Sequence, residues 1–359
     1  MNPIYQWRIS ELFVCEKDII QYRTISGDPY CNGFDKYEDV YSQVSIDSGA
    51  TWETTATTPT LVEHNSRDCG YVPPYSDQYL TFTSRNDGNS FSFVYTGGSF
   101  TIVYYSIDDG ETWTELKRDG SNSTPIINKG QTVTFKGNIG SSLTYGNGHF
   151  TSHHTFDVSG NIMSLVYGDN FSGQTELVDK YGLMYGVFKE LFKYSSVVSA
   201  ENLILPTETL PLRCYYTMFL GCASLTKAPT LSSTTIGDEC YLGMFSGCTS
   251  LTEAPNLPAT TLKSYCYQEM FAGCTSLTTA PVLSAATLAK YCYRNMFDGC
   301  TNLSSITCLA TDISANGCTN KWVYEVAPRG TFTKAASMTS WGAGNSGIPK
   351  NWTVVNYTG

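Results

Sequence analysis

Residues 266–291 read CYQEMFAGCTSLTTAPVLSAATLAKY, and three further copies of this pattern lie around them between residues 214 and 317. Cysteines recur in two columns with a period of 26 residues: Cys214, Cys240, Cys266, Cys292 and Cys318 in one, and Cys222, Cys248, Cys274 and Cys300 in the other. A fixed period of this length predicts a solenoid of stacked repeats. Because solenoids present long surfaces and seldom carry chemistry, the pattern favours binding over catalysis.

One repeat is predicted to contain a short helix, a tight turn and a short strand. Cys266, Met270 and Cys274 recur at helical spacing, with Tyr267 and Phe271 beside them on the same face. Pro281 lacks a backbone donor, so the following strand is expected to pair imperfectly. Each copy also has a glycine two residues after the phenylalanine, where a left-handed helix C-cap requires it: Gly221, Gly247, Gly273 and Gly299.

The cysteines are expected to be structural. Nine of the 13 occupy the two repeat columns, and we predict that they are buried thiols acting as small hydrophobic side chains. The chain has no CxxC pair, which disfavours zinc. The two cysteines of one repeat are eight residues apart, about 12 Å along a helix, which is too far for a disulfide. Cys31 and Cys69 lie in a turn-rich segment and either pair or stay free.

Comparison of the copies separates a constant framework from positions that vary. Varying positions on a fixed frame are where a ligand would be recognised, and the alternative is that they are merely solvated. The candidates are Lys227, Glu253 and Thr279 in one column, Thr230, Asn256 and Val282 in a second, and the adjacent pairs Tyr216–Thr217, Leu242–Gly243, Gln268–Glu269 and Arg294–Asn295.

The composition indicates an ordered, β-rich, multidomain protein. Of 359 residues, 15% are charged, and Tyr (25) and Phe (17) are abundant. Short alternating segments between turn residues predict strands at 41–46, 60–63, 79–84, 91–95, 100–106, 112–116 and 132–135. We expect an N-terminal β module at 1–75, a small antiparallel sandwich at 76–145, a linker at 146–182, the solenoid at 183–318 and a C-terminal cap at 319–359, with Trp322, Trp341 and Trp352 in its core.

A second motif occurs twice in the N-terminal half. Residues 45–52 (SIDSGATW) and 106–113 (SIDDGETW) both fit S-x-D-x-G-x-T-W, the Asp-box pattern. Asp47 and Asp108 are expected to cap the turn of a β-hairpin, with glycine supplying the positive φ. The pattern resembles that of sialidases, in which it is a structural turn. We therefore interpret it as evidence for two similar β modules rather than for hydrolysis.

Charge and motifs disfavour several other functions. The net charge is −10 and no Lys/Arg cluster occurs, which argues against nucleic acid and anionic membranes as partners. Apolar runs fall short of the ~20 residues of a membrane span, and the start MNPIYQWRIS lacks signal-peptide features. His149, His153 and His154 have no carboxylate or cysteine at ligand spacing, so a metal site is disfavoured. We find no catalytic constellation and expect no cofactor.

The repeats resemble the BspA-like leucine-rich repeats of Bacteroides surface proteins over residues 183–318. Residues 330–355 (GTFTKAASMTSWGAGNSGIPKNWTVV) resemble the usual end of those proteins, and residues 160–177 (GNIMSLVYGDNFSGQTEL) resemble the segment before their repeats. The stretches at 5–17, 28–52 and 68–74 resemble N-terminal modules of tail and fibre proteins of Bacteroides phages, including crAss-like phages.

This resemblance implies adhesion by a non-enzymatic protein. The missing signal and lipoprotein cysteine favour a virion protein, whose N-terminal modules bind other virion proteins while the repeats contact a host glycan or protein. A symmetric homo-oligomer is expected of such a part. One alternative is a Bacteroidales cell-surface adhesin whose signal has been removed. A glycan-acting enzyme is a distant third.

Overall fold

The computed structural model of the chain divides into two compact units, residues 1–73 and 74–359. It describes five strands between residues 8 and 63, followed by residues 77–95, 102–117, 123–138, 148–179, 182–183, 185–206, 208–339 and 341–358. The chain forms several small open β-sheets with almost no helix. It is therefore a multidomain, β-rich protein, as the composition indicates.

The first unit is one sheet of five antiparallel strands. Its strands are β1 (Arg8–Val14), β2 (Gln21–Ser26), β3 (Tyr30–Asn32), β4 (Asp35–Ser45) and β5 (Glu53–Glu63). The long strand β4 pairs with β2 and β3 along one edge and with β5 along the other. The first Asp-box therefore connects two strands of a hairpin, although Asp47 itself lies outside the described residues, as does Cys69, so a Cys31–Cys69 pair is not described.

The second unit begins with two sheets. Its first strands are β6 (Leu80–Ser84), β7 (Phe91–Tyr95), β8 (Val103–Ser106), β9 (Thr114–Leu116), β10 (Thr132–Gly137), β11 (Gly148–Ser152) and β12 (Phe156–Asn161). A one-turn helix, α1 (Ser164–Tyr167), and a 3-10 turn at Gly168–Asn170 follow. Strands β7 and β11 form a two-stranded sheet, while the other five belong to a larger sheet.

The larger sheet contains a sixth strand from beyond the expected sandwich. Strand β15 (Val197–Ile204) pairs in parallel with β12, which gives the order β15-β12-β6-β10-β8-β9. The sheet is thus mixed rather than wholly antiparallel. Residues 148–161, expected in a linker, supply β11 and β12. After β12 ends at Asn161, the chain turns into α1.

Phenylalanines fill the space between these two sheets. Phe82 on β6 lies 4.8 Å from Phe150 on β11 and 5.2 Å from Phe91 on β7, measured between ring centroids. Phe135 and Phe156 lie on the same side, and all five rings are fully buried. Edge-to-face and tilted ring pairs of this kind add to the free energy gained by burying apolar area.

The 26-residue repeats stack on one another through tandem turns, and the predicted helix is absent. Cys266, Met270, Phe271 and Cys274 do face the interior, with no exposed surface. However, the backbone bonds to the next repeat: Gly221 donates to Ser246 O at 2.7 Å, and equivalent bonds recur in later copies. The repeat buries the predicted face, but alternate backbone amides donate to the adjacent copy, while the amides between them close i→i−3 turns within the same copy.

Left-handed backbone recurs at equivalent positions of the copies. Three columns have positive φ: Gly186, Arg213, Glu239, Tyr265, Tyr291 and Gly317; Glu190, Thr217, Gly243, Glu269, Asn295 and Lys321; and Tyr194, Gly221, Gly247, Gly273, Gly299 and Glu325. The third column contains the four glycines singled out above. A Cβ on Gly273 would lie 3.7 Å from the Cα of Gly247, so copies also approach closely there.

Aromatic rings set the spacing of the stack. Phe219, Phe245, Phe271 and Phe297 form one column of nearly parallel rings, with centroids 5.7–5.8 Å apart. The tyrosines at 215, 241, 267 and 293 form a second column with separations of 5.8–6.3 Å. Trp322 continues the tyrosine column, 6.1 Å from Tyr293. These constant residues therefore act as spacers between copies.

Regular strands are short in the remainder of the chain. They are β13 (Val178–Asp179), β14 (Gly182–Leu183), β16 (Thr209–Leu210), β17 (Thr235–Ile236), β18 (Ser305–Cys308), β19 (Thr331–Lys334) and β20 (Thr353–Asn356). Strands β18, β19 and β20 form a parallel sheet. Trp322 is fully buried against Trp341, and its indole donates to Gly347 O at 2.8 Å. The end of the stack is thus covered by aromatic side chains.

Candidate functional site

Four of the candidate ligand-facing residues line one shallow groove. Lys227 and Thr230 come from one repeat, and Glu253 and Asn256 from the next, around an open groove of about 250 Å³. The Ala-Pro steps at 228–229 and 254–255 form the rest of its lining. Lys227 Nζ lies 3.6 Å from Glu253 Oε2, with both side chains largely exposed (48% and 79%). Such an exposed pair is weak and open to exchange with solvent or ligand.

The groove lies where the inter-repeat ladder is broken. Ala200 N donates to Lys227 O at 2.9 Å, and Ala280 N donates to Ser305 O at 2.9 Å. Within the fully described stretch 208–339, no backbone hydrogen bond joins 252–257 to either neighbouring repeat. Pro229 and Pro255 remove one donor from each wall, which contributes to the gap. The main chain of 252–257 therefore has no backbone partner in either neighbouring repeat, and Thr252, Glu253 and Asn256 of this segment are exposed.

The remaining members of the two columns lie in the next repeat. Thr279 and Val282 are both exposed, and Val282 retains 48% of its surface. Thr279 forms a parallel bridge with Ser305, so the ladder resumes there. Neither residue lines the groove between the 227–230 and 253–256 segments. The candidate columns thus continue beyond the groove, where Thr279 is joined to the next repeat.

The adjacent candidate pairs lie elsewhere and are less accessible than expected. Gln268, Glu269, Arg294 and Asn295 are half-buried, and Thr217 is buried. Gln268 Nε2 donates to Glu269 Oε1 at 3.0 Å. Three oxygens, Thr217 Oγ1, Gln268 Oε1 and Asn295 Oδ1, are buried without a hydrogen-bond partner. The remaining members of the adjacent pairs are Tyr216, Leu242 and Gly243, at the equivalent positions of the two earlier copies. Gly243 has a left-handed backbone, with a φ of 58°.

All nine repeat cysteines are buried free thiols, with at most 2% of their surface exposed. Burial raises the pKa of Cys248 and Cys274 well above the ordinary thiol range and that of Cys222 to about 12. Cys248 Sγ donates to Phe219 O at 3.2 Å, and Cys274 Sγ to Phe245 O at 3.1 Å. These thiols therefore also bond each repeat to the preceding one.

Sequence comparison missed a further varying column, directly before the first cysteine of each repeat. Arg213 makes a two-pronged ion pair with Glu239, with Nε–Oε2 and Nη2–Oε1 distances of 2.8 and 3.1 Å. In the next two copies, Tyr265 and Tyr291 stack at 5.1 Å in the same column. The sequence shows this variation directly, since the column contains arginine and glutamate at 213 and 239 and tyrosine at 265 and 291. The Arg213–Glu239 ion pair and the Tyr265–Tyr291 stack each join neighbouring repeats, so these side chains are engaged within the protein.

The second Asp-box forms the turn between β8 and β9. Asp108 Oδ1 accepts hydrogen bonds from Ser106 Oγ at 2.6 Å and from Thr112 N at 2.9 Å. These hydrogen bonds lower the pKa of the Asp108 carboxyl to about 2, and the one from Ser106 has the largest effect. Gly110 has a φ of 97°, and the ring of Trp113 packs on Tyr79 at 4.9 Å. The motif has the geometry of a structural turn.

The three clustered histidines do not converge. His149 is half-buried in β11, where desolvation lowers its pKa. His153 Nδ1 lies 2.8 Å from Ser90 Oγ, and His154 N donates to Asn89 Oδ1. Over the part of the chain that the structure describes, no three His, Cys, Asp or Glu side chains are placed to hold a metal ion. Over that same part, no helix has the length and hydropathy needed to cross a bilayer.

Comparison of the chain with protein-family models, with curated proteins and with solved structures gave no match. The resemblance to BspA-like repeats and to phage tail proteins therefore rests on the sequence motifs quoted above.

Proposed function

We propose that the chain is a non-enzymatic adhesion protein of a virion, a tail or fibre component. In this proposal the 26-residue repeats are a leucine-rich-repeat solenoid that contacts the bacterial host surface, and the N-terminal β modules bind other virion proteins. The repeats supply a rigid scaffold of buried rings and thiols. Repeat proteins use such scaffolds to present recognition residues rather than reacting groups.

The observation that carries this proposal is the groove between residues 227–230 and 253–256. It is the place where positions that differ between copies meet at one accessible surface. Its single carboxylate, Glu253, is exposed and lies beside Lys227 rather than beside a second acid or a histidine. The groups in the groove suit hydrogen bonding more than proton transfer.

Contact with the host would be multivalent. The groove is open and small, so a single copy is expected to bind weakly. A symmetric homo-oligomer on a particle would present several copies at once, and linked weak sites gain strongly in avidity. In this proposal, each chain has one weak binding site, and the virion carries many copies of the chain.

The proposal is tested by locating the protein and measuring its binding. Antibodies against the full chain are used in immunogold electron microscopy of purified particles and of the bacteria that produce them. We expect gold on particle tails or fibres, together with saturable binding of the multimerised chain to host cells. Gold on the surface of uninfected bacteria would instead favour the cell-surface adhesin, and hydrolysis of a host glycan by the purified chain would overturn a non-enzymatic role.

A further inference from the structure

We propose that the groove lined by Lys227, Thr230, Glu253 and Asn256 binds a neutral saccharide. This inference rests on the proposed adhesive function and specifies the chemistry of its ligand. It draws on the charge of the lining, the spacing of the repeats and the unpaired backbone of residues 252–257.

The charges in the groove cancel. Lys227 and Glu253 contribute one positive and one negative group 3.6 Å apart, and the other polar side chains are a hydroxyl and an amide. A polyanion or polycation would be attracted by one of the two charges and repelled by the other. A neutral ligand with hydroxyl groups can instead donate to Glu253 and accept from Lys227.

The spacing of the repeats excludes an extended peptide between the two walls. Phe219 and Phe245 fix neighbouring copies at a ring separation of 5.7 Å. An inserted strand needs 4.7–4.9 Å on each side, so the walls would have to stand roughly 9.5 Å apart. The buried ring columns prevent that separation, and a ligand must lie over the groove rather than within the ladder.

The main chain adds donors and acceptors to the site. Ala254 and Asn256 have backbone groups without a partner in the neighbouring repeats, and both residues reach the surface. The partly exposed side chains of Ala228, Ala254 and Pro255 add apolar surface beside these polar groups. A sugar ring offers the matching combination, since its hydroxyls project around the edge and its C–H groups form apolar faces. Binding pockets typically pair apolar surface with a few placed polar groups in this way.

The test uses the biotinylated full chain, assembled on streptavidin, against immobilised oligosaccharides. Maltohexaose, cellohexaose, mannohexaose and xylohexaose are the neutral probes, and sialyllactose and a heparin hexasaccharide are the charged ones. We expect binding to at least one neutral probe, with little change between about 0.05 and about 0.5 M NaCl because a neutral ligand is not subject to charge screening.

The double variant Thr230→Ala/Asn256→Ala is expected to weaken that binding about thirtyfold, as two hydrogen bonds of ordinary strength are lost. Thr234→Ala/Asn320→Ala removes the same two side-chain types from exposed positions outside the groove and should leave binding unchanged. Matching thermal unfolding curves verify that both variants fold.

Binding only to the charged probes, or to no neutral probe, would overturn the saccharide assignment. Equal binding by the wild-type chain and the groove variant would overturn the location. Particle labelling and host-cell binding are separate measurements. If the wild-type chain binds host cells but no neutral saccharide, the adhesive function stands and this inference alone fails.

Discussion

The ring of Phe245 lies 5.8 Å from that of Phe271, and their planes differ by 10°. This pair is one step in a column that runs through the constant residues of every copy. Because both rings are fully buried, the contact determines how far apart the two repeats lie. The varying residues of the groove depend on this spacing for their own separation.

Phe245→Ala is expected to lower the free energy of unfolding by about 3–5 kcal/mol, since it removes a buried ring and leaves a cavity between two repeats. Equilibrium denaturation in urea measures the loss. Ile126→Ala, at a side chain that is 75% exposed, is the control and should change stability by less than about 0.5 kcal/mol. A similar small effect at Phe245 would mean that the ring column does not hold the repeats together.

Thr217→Gly is expected to stabilise the protein by roughly 1 kcal/mol. Thr217 is β-branched with a φ of 48° and its buried Oγ1 has no hydrogen-bond partner, whereas glycine, which occupies the equivalent position 243, adopts left-handed backbone without steric cost. Gly243→Ala should act in the opposite direction by about 1–2 kcal/mol, because Gly243 has a φ of 58° and a Cβ there would lie 3.0 Å from Thr217 Cγ2. Equilibrium denaturation of both variants measures the two changes in the free energy of unfolding. Changes of the same sign would contradict the left-handed backbone at positions 217 and 243.

Hydrogen exchange should distinguish the two sides of the repeats. The amides of Gly221, Gly247 and Gly273 donate to the next repeat at 2.7 Å and are expected to exchange slowly. Those of Ala254 and Asn256 have no backbone acceptor and should exchange orders of magnitude faster. Exchange followed by mass spectrometry or NMR measures both sets in one sample. Equal protection of the two sets would show that the ladder is closed at the groove.

The Asp-box turn should lose stability in acid. The folded-state pKa of Asp108 is about 2, below its ordinary value of 3.8, so its contribution is present above about pH 4 and is lost as the pH falls toward 2. The Thr112 amide shift in NMR should titrate in that window. Asp108→Asn should abolish the titration, whereas Asp109→Asn, its neighbour in the same turn, should leave it. Titration near the ordinary value in the wild-type chain would contradict the hydrogen-bonded carboxylate.

The repeat cysteines should resist alkylation until the protein unfolds. All nine are buried, and burial raises the pKa of thiols such as Cys248 well above the ordinary range. Iodoacetamide at pH 8, with peptide mapping by mass spectrometry, should leave these positions unmodified in the native chain and label them in guanidinium chloride. Rapid native labelling of Cys248 or Cys274 would show that the repeats open locally.

Much of the repeat was predictable because its constraints recur every 26 residues. The inward face of Cys266, Met270 and Cys274, and the need for glycine at position 273, can be read from one copy compared with the others. The helix prediction failed because the same apolar spacing is compatible with tandem turns. Whether a backbone N–H donates within its own copy or to the adjacent one depends on how the copies stack. The sequence of a single copy does not specify this.

The candidate site could also be predicted only in part from the sequence. Columns 227–253 and 230–256 were chosen because they vary, and the structure brings these four residues to one groove. The pairs at 268–269 and 294–295 also vary but are half-buried, since the chain there follows turns instead of an exposed helix face. The prolines of the repeat predict imperfect pairing, but the ladder is open beside Pro255 and closed beside Pro281, so the sequence does not specify which junction is broken.

The hydrogen bonds from Gly221, Gly247, Gly273 and Gly299 all run from one repeat to the next in the same direction. The final row is terminated separately, where Val323 N donates to Asn345 O and Lys321 N to Ser346 Oγ. This row of hydrogen bonds is therefore the same at every internal junction, and the C-terminal end of the stack is bonded separately. Duplication or loss of one 78-nucleotide unit of the gene would preserve this row, so the reach of this protein can evolve by whole repeats without redesign of its C-terminal end.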